Sequence, residues 1–386
     1  MKMLLQNGLV ADGECKAFHH WDILICDGVI EKIIPRGAVV AGDAAVIDAT
    51  GKYILPGMID IHNHGGFGVD FGVERDSYVA GKDYGPALDL FAKQGVTTVL
   101  ATLCGAPQGK LLSLIKHALN EQKKECGARI GGLHLEGPFI SEKKRGAIRH
   151  ETVPCSVETF ETLWEAAEGQ LRAMTIAPER ENALDVIRKG ASLGVRMSIG
   201  HTNATYEEAC AGIAAGATGS THTFNGMRSL MHRDPGVLGA VLTDPNVICE
   251  AICDMVHLSP ATVKLILAAK GMDKVILISD AGYITGLEDG VYDLPDGRRK
   301  FVKEGKVCLE DGTIAGSCFT MADGARNLIK LGCSLLDIAK LGARNPARAV
   351  GLTDRGEIRE GLLADLIITN EDMTEVSVVL RGEQYC

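Results

Sequence analysis

Short apolar runs punctuate the middle of the chain, each followed by a longer stretch in which apolar residues return with a helical period. The runs are Ile54 to Asp60, Val96 to Ala101, Ile130 to Leu135, Arg172 to Ile176, Val195 to Ile199, Gly219 to Thr221, Val247 to Cys253 and Lys274 to Ser279. Such alternation is the pattern of a parallel sheet covered by helical crossovers. Eight units of this kind predict a (β/α)8 TIM barrel, an α/β fold whose chemistry sits on the loops at the carboxyl ends of its strands.

The two ends read differently. Residues 1 to 53 alternate short apolar runs with glycine turns, as in Trp21 to Ile30, where Asp27-Gly28 is a hairpin signal. Ala364 to Thr369 and Val376 to Glu383 return to that texture, so residues 1–53 and 355–386 are expected to form one small sheet domain beside a catalytic barrel of residues 54–354. Residues 282–312, rich in glycine and charge, read as a hairpin-like excursion near the barrel mouth, with Tyr283 and Tyr292 facing either the pocket or the excursion's own core.

What ends each run carries the chemistry. His62 and His64 close the first run, and alternate side chains of a strand share a face, so two imidazoles would converge at the barrel mouth. Glu136 follows the third run, His201 the fifth, His222 the sixth, Asp254 and His257 the seventh, and Asp280 the eighth. Taken singly, each is better read as a cap or a solvated loop residue. Metal-ligand and acid–base side chains repeated in one register point instead to a shared metal centre.

Composition narrows the partners. With 386 residues, 46% hydrophobic and 23% charged, the sequence is that of a soluble globular chain. A net charge of -10, with no basic run longer than Lys143-Lys144-Arg145 or Arg298-Arg299-Lys300, argues against nucleic acid or a membrane surface while leaving room for a small anion. The twelve cysteines include no Cys-x-x-Cys pair and read as reduced thiols. No apolar stretch has the length of a membrane span or signal core, and a cytoplasmic location is expected.

Several motifs extend the reading: Pro56-Gly57-Met58-Ile59-Asp60-Ile61-His62-Asn63-His64-Gly65, His134-Leu135-Glu136-Gly137-Pro138, Thr175-Ile176-Ala177-Pro178-Glu179, Gly200-His201-Thr202, Thr221-His222-Thr223-Phe224-Asn225-Gly226-Met227, Ser279-Asp280-Ala281 and Asn345-Pro346-Ala347-Arg348. On these residues the chain resembles the amidohydrolase superfamily and, within it, the N-acetylglucosamine-6-phosphate deacetylases. The resemblance implies a metal-dependent barrel beside a small β-sandwich built from both termini. It implies Glu136, His201 and His222 as main ligands, His62 and His64 at a second metal position, and Asp280 both as a metal ligand and as the proton carrier beside the metal. One or two divalent ions per subunit are expected, zinc foremost, with iron or another divalent ion open. The fourth run ends in Ala177-Pro178-Glu179 with no lysine to bridge two metals, which weakens dihydroorotase-like and hydantoinase-like readings and leaves Glu136 as the bridge.

Amide hydrolysis needs an activated water, a polarised carbonyl and a proton for the departing amine. By the same resemblance the substrate is an amino-sugar phosphate, and N-acetyl-D-glucosamine 6-phosphate would yield D-glucosamine 6-phosphate and acetate. His257 would contact sugar or acetyl oxygen, Arg233 would bind phosphate across a homodimer interface, and Asn225 with Gly226 would add donors for that anion. Where many members carry Gly-Ala-His, this chain has Gly146-Ala147-Ile148, so sugar stereochemistry and acyl group stay open; His150 is not assigned. Alternatives are a deacetylase of another N-acyl amino-sugar phosphate, such as N-acetylgalactosamine 6-phosphate, a different amidohydrolase such as a deaminase, and a noncatalytic scaffold.

Overall fold

The structure, a computed structural model, describes residues 2–38, 42–72, 83–148, 153–293 and 299–385. Eight strands lie in chain order across one sheet: Met58–Asn63, Val96–Cys104, Arg129–Glu136, Leu171–Ile176, Arg196–Ile199, Gly219–Ser220, Ile248–Ile252 and Val275–Ile278. Every ladder between neighbours is parallel. The sheet closes where the eighth strand meets the first: the Asp280 amide donates to the His62 carbonyl at 3.0 Å, and the His64 amide to the Ala281 carbonyl at 2.7 Å.

The sequence pattern explains the layers. One face of the strands, with Val99, Leu103, Leu135, Met174, Met197 and Cys249, packs on Phe91, Leu111, Ile115, Phe160 and Ile187 of the surrounding helices in a continuous core. The other face supplies Ile59, Ile61, Leu100, Ala173, Ile276 and Ile278, which fill the barrel's lower interior against Ala347 and Leu352. Apolar side chains on both faces make the strands read as unbroken apolar runs.

The run Ile54 to Asp60, read as one strand, is two. Tyr53–Pro56 pairs with Leu9–Ala11 and, antiparallel, with Leu366–Thr369 in a six-stranded sheet, and the first barrel strand begins only at Met58. Gly57 is the crossing point: a Cβ there would lie 2.2 Å from the Thr97 hydroxyl oxygen, so only glycine lets the chain pass. A four-stranded sheet of Val29–Pro35, Trp21–Cys26, Lys2–Gln6 and Ala45–Asp48 faces the six-stranded one over a shared core that includes Leu5, Ile23, Ile25, Ile54, Leu366 and Val379. Both chain ends thus supply strands to this small sandwich.

The excursion after the eighth strand is an antiparallel sheet of Gly290–Asp293, Arg299–Lys303 and Lys306–Leu309. Tyr283 and Tyr292 pack on its own small cluster of Ile284, Val302 and Val307.

Candidate metal centre

Four ligand-bearing strand ends converge at the barrel mouth. Glu136, the last residue of the third strand, places Oε1 3.0 Å from His201 Nε2 and 3.0 Å from His222 Nε2. The two imidazole nitrogens are themselves 3.0 Å apart. From the first strand, His62 Nε2 and His64 Nε2 meet at 3.2 Å, His62 Nε2 lies 3.3 Å from Glu136 Oε1, and His64 Nε2 lies 3.3 Å from Glu136 Oε2. Glu136 therefore belongs to two adjoining triads, one with His62 and His64 and the other with His201 and His222. Asp280 Oδ1 sits 3.3 Å from His64 Nε2 and 3.5 Å from His62 Nε2.

These residues fit a divalent cation. His201 donates Nδ1–H to the Lys144 carbonyl at 2.8 Å, which leaves its Nε2 lone pair aimed at a carboxylate oxygen and at another imidazole nitrogen. Acceptors face acceptors, an arrangement that requires either added protons or a cation. Bonds of about 2.0–2.1 Å around a tetrahedral cation set its ligand atoms about 3.3–3.4 Å apart; the 3.3 Å spacings of His62 and His64 from Glu136 meet that edge, and the 3.0 Å spacings among Glu136, His201 and His222 lie a few tenths of an ångström inside it.

The electrostatics agree. Burial pushes the Glu136 carboxyl up, but the charges of His201 and His62 and the hydrogen bonds from His201 and His222 outweigh it and hold the group well below the usual carboxylate range. Burial likewise opposes Asp280, and the neighbouring His62 and His64 hold it low. The same carboxylates act in reverse on His62: burial favours the neutral ring, yet Asp280 and Glu136 lift its pKa to about 10. The acids demand positive charge, and protonated imidazoles answer when nothing else does.

The other expected residues are placed differently. His257 donates Nδ1–H to Asp254 Oδ2 at 2.6 Å, and Asp254 Oδ1 also accepts the amides of Val256 and His257, so the seventh-strand loop is built to hold this ring. Burial lowers the His257 pKa, but Asp254 and then Asp280 raise it overall. Gly226 lies against His201: a Cβ would stand 3.1 Å from its Nδ1, at a φ of +59°. Asn225 spends its side-chain amide on the His222 carbonyl at 3.3 Å. Arg233 is not brought to the cluster by its own chain; it lies exposed on a turn closed between Met231 and Asp234, with exposed Leu230 and Met231 beside it. Ile148 is half-buried, and His150 falls outside the described residues.

Sequence reasoning missed the groups behind the ligands. Glu250, inside the seventh strand, places Oε2 3.3 Å from His62 Nδ1 and Oε1 2.5 Å from Arg196 Nη1. Cys104 ends the second strand opposite Glu136, with Sγ 3.4 Å from His64 Nδ1. His134 is buried between the hydroxyls of Thr102 and Thr175, and burial pushes its pKa down to about 3, so it is neutral. A charged residue in the middle of the apolar run Val247 to Cys253 was the available signal for Glu250.

A profile of the amidohydrolase family matches residues 53–384. The chain belongs to the amidohydrolase family. It is similar to the N-acetylglucosamine-6-phosphate deacetylase of Bacillus subtilis, 36% identical over 85% of this chain and 83% of that protein. It is also similar to the N-acetylgalactosamine-6-phosphate deacetylase of Escherichia coli O157:H7, 31% identical over 99% of this chain and 97% of that one. Among solved structures, a mutant of the N-acetyl-D-glucosamine-6-phosphate deacetylase of Mycobacterium smegmatis in complex with N-acetyl-D-glucosamine-6-phosphate matches with a TM-score of 0.89 and 32% identity, covering 100% of this chain and 99% of that one. Barrel enzymes of this architecture carry their chemistry at the carboxyl ends of the strands, where the side chains around Glu136 gather here.

Proposed function

We propose that this amidohydrolase removes the acetyl group of N-acetyl-D-glucosamine 6-phosphate, giving D-glucosamine 6-phosphate and acetate. The observation that carries the reading is Glu136 shared between two imidazole pairs with Asp280 at their edge. Glu136, His201 and His222 would hold one divalent ion, and His62 and His64 with Glu136 a second. A divalent ion at such a site makes water acidic near neutrality and polarises a carbonyl; zinc suits the imidazole and carboxylate donors.

The chain's own groups then divide the work. Asp280, held ionised by its neighbours, accepts the proton of the attacking water and returns it to the sugar nitrogen as the C–N bond breaks. His257, with Nδ1–H committed to Asp254, presents Nε2 to a substrate oxygen. Gly226 allows close approach beside His201, and Arg233 of the partner subunit supplies a guanidinium to the phosphate. The small sandwich, which takes in Tyr53–Pro56 beyond the expected 1–53 and pairs it with the 355–386 end, ties both chain ends to a barrel that begins at Met58. A homodimer in the cytoplasm completes the reading. Among the described residues no helix is long and apolar enough to cross a membrane.

A second substrate, N-acetylgalactosamine 6-phosphate, is favoured by the Escherichia coli relative, while Ile148, which can donate no side-chain hydrogen bond, leaves sugar stereochemistry and acyl group open. Acetate release measured on the gluco, galacto and manno 6-phosphates, and on unphosphorylated N-acetylglucosamine, tests both. The gluco phosphate should have the highest kcat/KM. A faster galacto substrate reverses the order, and equal turnover of the unphosphorylated sugar removes the phosphate from the reading.

A further inference from the structure

Glu250 is a fully buried acid paired with a buried arginine at the barrel's centre, a costly arrangement that packing alone does not require. Its two oxygens have different duties. Oε1 accepts from Arg196 Nη1 at 2.5 Å, and Arg196 is itself fixed by a second donation, Nη2–H to the Ile248 carbonyl at 3.1 Å. Oε2 accepts from His62 Nδ1 at 3.3 Å and from the His222 backbone amide at 3.3 Å. One carboxylate thus touches a ligand residue from each of the two triads. On the proposed metal-site reading, we infer that Glu250 is the positioning residue that sets the His62 tautomer: it keeps the proton on Nδ1 and the Nε2 lone pair turned toward Glu136.

His64 has a much weaker outer partner. Among the described residues its Nδ1 meets the thiol of Cys104 alone, at 3.4 Å, and a neutral thiol is a poor hydrogen-bond acceptor. Control of the His62–His64 position therefore rests with Glu250. Glu250→Gln keeps the shape and replaces one acceptor oxygen with a donor. Arg196 can only donate, so it will hold the amide oxygen toward itself, which turns the amide NH2 toward His62 Nδ1 and the His222 amide. Donor then faces donor. His62 relieves the clash by moving its proton to Nε2, the atom that should face the cation.

The test uses full-length protein stripped of metal and reloaded with zinc under a competing chelator. Zinc stoichiometry is read by mass spectrometry, and the His62 tautomer by nitrogen-15 NMR of the imidazoles at a free zinc level that fills the His62 position of the parent and leaves that of Glu250→Gln empty. Glu250→Gln should weaken zinc at the His62 position by about 10- to 100-fold, as loss of a ligand's outer partner does, with the His62 proton on Nε2. Glu250→Leu combined with Arg196→Met, which leaves neither an unpaired charge nor a misdirected donor, should fall between Glu250→Gln and the parent; it also stands in if the single variant does not fold. Cys104→Ala should change zinc affinity by less than about threefold. Undiminished zinc binding in both Glu250 variants, or a His62 proton that stays on Nδ1 in Glu250→Gln, overturns the inference. A parent protein that takes up no zinc overturns the metal-site reading instead.

Discussion

Asp280 has a backbone φ of +50°, as His201 has +45° and His222 +28°, and each of these side chains leaves a strand end in a left-handed turn that non-glycine residues seldom adopt. Such strain persists where surrounding structure over-determines it, and here it turns three functional groups inward. Asp280→Asn keeps the shape and removes the proton acceptor, so kcat should fall by about 100- to 10,000-fold while KM moves less than about threefold. Steady-state kinetics check this, and near-parental turnover would end the assigned role. The imidazoles supply a second prediction. His62 titrates at about 10 in the metal-free site, so protons occupy it at neutral pH and an incoming ion must expel them. His64, at the same position, is likewise held well above its ordinary value, burial opposing and Cys104, Asp280 and Glu136 raising it; zinc affinity should therefore rise with pH and be lost on acidification, and adding zinc to unbuffered protein at pH 7 should release about one to two protons per ion taken up at the His62–His64 position. A pH-independent affinity in chelator competition would contradict it.

At the level of elements, the decisive feature is the handover from sandwich to barrel. Tyr53–Pro56 and Met58–Asn63 are separated by a single residue, so both sheets must be reached in one step, and the Thr97 side chain fills the space next to Gly57. Gly57→Ala should destabilise by about 1–3 kcal/mol through overpacking, read as a lower urea midpoint with an unchanged slope. The ends of the neighbouring strands behave in the same coordinated way: Cys104 pairs in register with Glu136, and Ser279 donates from its hydroxyl to Asp60 Oδ2 at 2.5 Å, locking the eighth strand end to the first beside Asp280. A ligand shell assembled from so many strand ends is only as well placed as the register between them.

For the whole molecule, Arg233 carries the prediction, because its own chain leaves it exposed on the Met231–Asp234 turn. Arg233→Ala should lower kcat/KM for the phosphorylated sugar by about 10- to 100-fold, the worth of a charged hydrogen bond, and change unphosphorylated substrate little. Mixing settles which subunit it serves. If Arg233 crosses the interface of a two-fold dimer, each heterodimer of Asp280→Asn and Arg233→Ala subunits holds one intact site, and random exchange of equal amounts should restore roughly a quarter of parental activity. No recovery on mixing would place Arg233 in its own subunit's site or outside any site.

The sequence determined the class of fold and the inner ring of side chains. Apolar runs bounded by His62, Glu136, His201, His222 and Asp280 were legible because a barrel strand buried on both faces must be apolar until it reaches the mouth, where polar groups are first tolerated. Periodicity could not show that Ile54 to Asp60 divides between two sheets, since both halves are equally apolar and only the approach of Thr97 to Gly57 marks the division. Nor could it show Glu250 and Cys104 behind His62 and His64: those partners lie on strands distant in sequence, and hydrogen-bond direction is a property of the closed barrel. Spacing along a chain records which faces are buried; which acid holds which imidazole is decided only when the eighth strand meets the first.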